Sequence, residues 1–173
     1  MNFSIAPTIR RLLSPRHELS CSWLLWRRLC SALRQRGRAS TRESGAFLLG
    51  RIEPDGRRCI TDYVLYDDVD PRCLDTGIVR FDGRHFGTLW AYCKARSLAV
   101  VADVHVHPGA ADQSDSDRAH PMISQRGHIA LILPNFAAPP LRRAQVGLYK
   151  YQGAKQWAVI RPSLRADFFH IGI

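Results

Sequence analysis

The chain has 173 residues, 46% of them apolar and 23% charged, ordinary proportions for one globular domain long enough to bury a core. Its net charge of +10 is lopsided: residues 1–58 hold 12 arginines against 4 acids, and residues 59–173 hold 13 basic residues against 11 acids. Arg27 and Arg28 break the apolar stretch from Trp23 to Leu33, which excludes it as a membrane span, and no cleavable apolar leader precedes it.

Residues 1–15 read as a flexible basic N-terminus, with Pro7 and Pro15 as breakers, and residues 16–173 as one domain. From Arg16 to Gln35 the spacing predicts a helix, since Leu25, Trp26, Leu29, Cys30 and Leu33 recur every three or four residues and Gly37 suits a stop. Ala46 to Ile52 predicts a buried strand, Pro54-Asp55-Gly56 a turn, and Cys59 to Tyr66 the hairpin partner. An acidic loop follows, then a strand from Gly77 to Phe81 and a second helix from Arg84 to Ser97, with Phe86, Leu89, Trp90 and Cys93 on one face. Leu98 to His107 predicts a strand, and Ser114 to Ser124 a loop entering a short helix. Ile129 to Leu133 predicts another strand. Val146 to Tyr151 and Trp157 to Ile160 predict a hairpin turning at Gln152-Gly153, and Phe168 to Ile173 a last strand. The order implies a mixed α/β domain around one core.

Five cysteines, Cys21, Cys30, Cys59, Cys73 and Cys93, stand apart with no CxxC pair. The odd count predicts reduced thiols in a cytoplasmic protein.

The chemistry concentrates in Asp103-Val104-His105-Val106-His107-Pro108, followed by Ser114 and Asp117. Two histidines at i and i+2 at a strand end turn their imidazoles to one face. Asp117, ten residues after His107, can close a metal site. Three nitrogen and oxygen ligands with an open fourth position describe a catalytic rather than a structural zinc. Such a zinc lowers the pKa of its water to about 7 but still needs a proton shuttle and a donor to the oxyanion. Asp103 falls on the ligand side one step deeper, as a support for the ligands or a structural hydrogen-bonder. His85, His120, His128 and His170 are expected to be structural or exposed.

Three blocks together resemble the JAB/MPN metallopeptidase family and its JAMM motif: Glu43-Ser44-Gly45-Ala46-Phe47-Leu48-Leu49-Gly50, His105-Val106-His107-Pro108, and Ser114-Asp115-Ser116-Asp117. The resemblance covers roughly residues 16–160. It implies a single JAB/MPN-like (cytidine-deaminase-like) α/β domain, a mixed curved sheet flanked by helices. It implies that His105, His107 and Asp117 hold Zn2+, that Glu43 is the general acid/base, and that Ser114 steadies the oxyanion. The chain departs from the family pattern in one place: nine residues separate His107 from Asp117, where the family usually has ten. The short HPGAADQSDSDR loop looks like the prokaryotic branch, whose peptidases accompany ubiquitin-like, E1-like and E2-like proteins, including those of antiphage conjugation systems. The implied activity is an isopeptidase or peptidase cutting after the tail of a ubiquitin-like protein.

Two rivals are weighed. The DxHxH strand also resembles that of (β/α)₈ amidohydrolases, but 66 residues after His107 cannot hold the remaining βα units. A non-catalytic scaffold of the same fold would be expected to have lost ligand residues, and none is missing. By its charge alone the basic N-terminal segment could meet an acidic protein, nucleic acid or an anionic membrane, or simply be a solvated basic helix. No membrane partner is expected, nor is nucleic acid, for want of an interleaved aromatic and basic groove.

Overall fold

Alternation along Ala99–Val106 (β4) sorts its side chains onto two faces, and the rest of the fold is built on that division. The computed structural model describes residues 17–37, 41–76 and 79–172; the expected flexible N-terminus lies outside them. In chain order the described elements include β1 (Leu19–Ser22), α1 (Trp23–Arg36), β2 (Gly45–Ile52), β3 (Arg58–Leu65), α2 (Tyr66–Val69), α3 (Phe86–Arg96), β4, α4 (Asp115–Ala119), β5 (Ile129–Leu133), β6 (Gly147–Gly153), β7 (Gln156–Val159), α5 (Arg165–Phe168) and β8 (Phe169–Gly172). The strands form one mixed sheet in the order β7-β6-β5-β4-β2-β3-β1-β8. β4 lies at its centre, antiparallel to β2 and parallel to β5. The expected mixed α/β architecture is therefore present.

On one face Val104, Val106, Leu131 and Leu133 pack with Trp26, Leu29 and Leu33 of α1. On the other, Phe47 and Leu49 pack with Tyr66 and with Leu89 and Cys93 of α3, and Ala130, Ile132 and Tyr149 continue that layer. Each sheet face is thus covered by a helix, as a sheet with two apolar sides requires. No helix among the described residues is long and apolar enough to cross a membrane.

Three expectations need correction. The segment read as one helix from Arg16 to Gln35 starts with a strand: Leu19 and Cys21 point inward, Ser22 outward, and β1 runs parallel to both β3 and β8. Ser22 then caps α1, its hydroxyl accepting from the Leu25 N–H. Four residues of period-2 alternation were masked by the stronger 3.6-residue pattern that follows. Within the expected Gly77–Phe81 strand, 77 and 78 are outside the described residues, and Val79 to Phe81 is irregular. The β6–β7 hairpin turns at Ala154-Lys155, whose φ values of 49° and 59° are left-handed, rather than at Gln152-Gly153; this is the geometry that two-residue hairpins favour.

Candidate metal centre

The metal-ligand candidates converge at the carboxyl end of β4. His105 and His107 share one face there, and their Nε2 atoms lie 2.9 Å apart. Both are buried. Asp117 comes from the first turn of α4, with Oδ1 3.3 Å from His105 Nε2 and Oδ2 3.2 Å from His107 Nε2. These three residues form the one His/Cys/Asp/Glu cluster of metal-ligand geometry found among the described residues. The separations can be tested against a zinc site. Zn–N and Zn–O bonds of about 2.0–2.1 Å at tetrahedral angles put ligand atoms about 3.3 Å apart. The donor set fits, and among the described residues it numbers three ligands, one fewer than a tetrahedral site takes.

Asp117 is held by local sequence. Ser114 caps α4, and the two residues form a capping box. The Ser114 N–H donates to Asp117 Oδ2 at 2.7 Å and its hydroxyl donates to the same oxygen at 2.8 Å. The Asp117 N–H returns a bond to Ser114 Oγ at 3.1 Å. Burial opposes ionisation of Asp117, but hydrogen bonds from His105 and His107 outweigh it and hold the carboxyl well below the usual range. For His105, burial disfavours the charged ring, yet the bond to Asp117 wins and raises its pKa.

The loop between His107 and Ser114 is pinned rather than slack. Tyr149 Oη donates to the Ala111 carbonyl at 2.7 Å, and the Asn135 N–H donates to the Gly109 carbonyl at 3.0 Å. Gly147 makes the close approach possible, because a Cβ there would sit 2.1 Å from the Ala111 oxygen. Asp117 reaches both histidines across this loop.

Glu43 arrives by strand register. Gly45 of β2 pairs antiparallel with His105 of β4, so the chain two residues earlier runs beside His107. Glu43 Oε1 lies 4.0 Å from His107 Nε2, outside the bonding distance of the three ligand candidates, and Oε2 accepts from the Val79 N–H at 3.4 Å. Its neighbour Ser44 is buried and donates to the Leu33 carbonyl at 2.7 Å, tying this segment to the end of α1.

Behind the histidines lies a polar support of which the sequence names Asp103 alone. Asp103, buried on the same side of β4, accepts from the Tyr66 hydroxyl at 2.8 Å and pairs with His128 Nε2 at 2.5 Å. Asp103 was singled out from alternation. Tyr66 and His128 carry no local signal of this role, because they come from distant segments; His128 is buried and bonded, within the structural role expected of it.

No family model matches the chain. Over 73 residues it is 34% identical to a probable metalloprotease, y4jG, of Sinorhizobium fredii (strain NBRC 101917 / NGR234), a match spanning 42% of this chain and 44% of that protein. Among solved structures, protein DSY2949 from Desulfitobacterium hafniense aligns with a TM-score of 0.62 at 15% identity, covering 83% of this chain and 90% of that one. A Salinibacter ruber protein aligns at 0.49 and 16% identity, over 78% of this chain and 85% of its own. The Desulfitobacterium protein shares the fold.

Proposed function

We propose that this protein is a zinc metallopeptidase of the JAMM type, cleaving after the C-terminal tail of a ubiquitin-like protein. It would mature the modifier precursor, release the modifier from targets, or both, beside E1-like and E2-like partners in a bacterial antiphage conjugation pathway. The observation that carries the reading is the His105–His107–Asp117 cluster with Glu43 at 4.0 Å. The similarity to a probable metalloprotease over less than half of that relative's length supports the peptidase part. The substrate and pathway rest on the resemblance of the three motif blocks.

His105, His107 and Asp117 would hold the ion. When bound, zinc supplies Lewis acidity and makes hydroxide available near neutral pH. Glu43 has one oxygen steadied by the Val79 N–H and the other facing the histidine pair. That placement lets it take a proton from the attacking water and deliver it to the leaving amine. The Ser114 hydroxyl donates to Asp117 in the free site. To serve the oxyanion it must turn that proton from Asp117 toward the substrate, which rotation about its C–O bond permits. Beside the centre, Val79, Phe81, Phe86 and Met122 line a cleft reaching Ser116 and His120. Arg80 also lines this mixed cleft, whose apolar side chains would pack against an extended peptide tail while its polar groups meet the backbone.

The test is zinc content together with cleavage of ubiquitin-like proteins carrying C-terminal extensions. One bound zinc, lost with activity in His107→Ala, is the expected result. A folded wild-type protein that takes up no zinc refutes the enzyme and leaves the scaffold role. A zinc-loaded protein that cleaves no modifier refutes the substrate alone.

A further inference from the structure

On the sheet face away from the metal centre, α1 and the loop from Ala137 to Arg143 enclose a groove of about 650 Å³, within the usual range of ligand sites. Trp23, Trp26, Arg27, Cys30 and Arg34 line it from one face of α1, at helical spacing. Arg143 closes the opposite wall, with Pro139, Leu141 and Ile171 between. Among the described residues the lining contains three arginines, the exposed Trp23, the buried Trp26 and no carboxylate.

The side chains are poised for a ligand. Trp23 is 54% exposed, unusual for the largest apolar side chain, and Arg27 lies over its ring at 4.6 Å. Arg34 and Arg143 each spend one N–H on a backbone carbonyl, of Ala137 and Phe169. Those bonds orient the guanidinium forks and leave further N–H groups to donate, since each carries five. Arg165 extends the positive surface beyond Arg143, anchored on the Ala144 and Ile160 carbonyls.

We propose that this groove binds a short stretch of single-stranded nucleic acid, with a base against the exposed Trp23 and phosphates on Arg27, Arg34 and Arg143. An exposed aromatic face set among cations along an open groove is what sequence-tolerant strand binding uses. Arginine suits it better than lysine, because a guanidinium pairs with phosphate through a planar fork and also stacks. An acidic peptide would satisfy the arginines, but it has no π face to match the exposed indole. The sequence alone did not predict nucleic acid, because the cations of α1 and of the loop are more than a hundred residues apart and meet only in the fold.

The experiment is fluorescence anisotropy of the full chain with a labelled oligo-dT of about 12 nucleotides, at rising salt, with dTMP and poly-glutamate as competitors. Wild type should bind with affinity that falls as salt rises, and binding should quench tryptophan fluorescence. Trp23→Ala and Arg143→Glu should each weaken binding about tenfold, with zinc content and circular dichroism unchanged. Arg96→Glu, on the other face of the sheet, should leave binding intact. Absence of binding at low salt overturns the proposal. So does binding that Trp23→Ala and Arg143→Glu leave untouched, which would place the strand elsewhere. Equal competition by poly-glutamate would assign the groove to an acidic protein segment, and equal competition by dTMP to a free nucleotide.

Discussion

Gly45 faces His105 across the β2–β4 pair, and that register sets Glu43 beside His107. The position tolerates no side chain: a Cβ on Gly45 would lie 2.1 Å from the Tyr66 ring and 2.8 Å from the Val104 carbonyl. Gly45→Ala should therefore push β2 off Tyr66 and cost about 1–3 kcal/mol through overpacking. Urea denaturation reads the loss, and cleavage should fall further than stability does, because Glu43 moves with the strand. An unchanged midpoint would show that the pairing is looser than the register implies.

Glu43→Gln would remove the proposed proton carrier and keep the shape. Its 4.0 Å separation from His107 places it outside the ligand set. Zinc content should stay at the wild-type level while turnover drops by about 10²–10⁴-fold. Zinc measured on the dialysed protein separates the roles: loss of metal would make Glu43 a ligand.

Ser114→Ala should act on metal and stability together. It deletes the helix cap, at about 0.5–2 kcal/mol, and frees the Asp117 oxygen that the hydroxyl grips at 2.8 Å. Losing such a support lowers metal affinity about 10–100-fold. Competition with a fluorescent chelator measures it. Ser114→Thr, which restores the hydroxyl, should recover most of the affinity.

The thiols predict alkaline sensitivity. All five cysteines are free, and burial pushes Cys21, Cys30 and Cys73 each up to about 12 from 9.0. Between those values the unfolded chain has lost thiol protons that the folded chain retains. The unfolded state binds fewer protons, so stability falls as pH rises from about 9 toward 12. Chemical denaturation across that window should show the decline, and Cys30→Ala should flatten it relative to wild type. Below pH 9 the two proteins should show no difference in slope. With a thiol reagent at neutral pH, Cys59, the one cysteine that is not buried, should react first.

Much of the candidate site was legible because it is locally encoded. Alternation alone places Asp103, His105 and His107 on one face of β4, and the S-x-x-D pattern of Ser114 and Asp117 caps a helix wherever a helix begins there. The helical spacing of Leu25 to Leu33 likewise names the buried face of α1. Leu19 to Ser22 misled for the same reason: a four-residue strand carries too few alternations to stand out against a helix that starts at its end.

By itself, then, the sequence determined the donor types, their faces and the cap that presents Asp117, since each depends on backbone periodicity over a few residues. Only the tertiary structure decided which distant segments meet. Glu43 comes beside His107 through β2–β4 register, Tyr66 and His128 reach Asp103 from separate segments, and Trp23 and Arg143 come to line one groove through the docking of α1. Register and helix docking are set by the burial of whole apolar faces and by close approaches such as those at Gly45 and Gly147. No window of the chain contains both sides of those contacts.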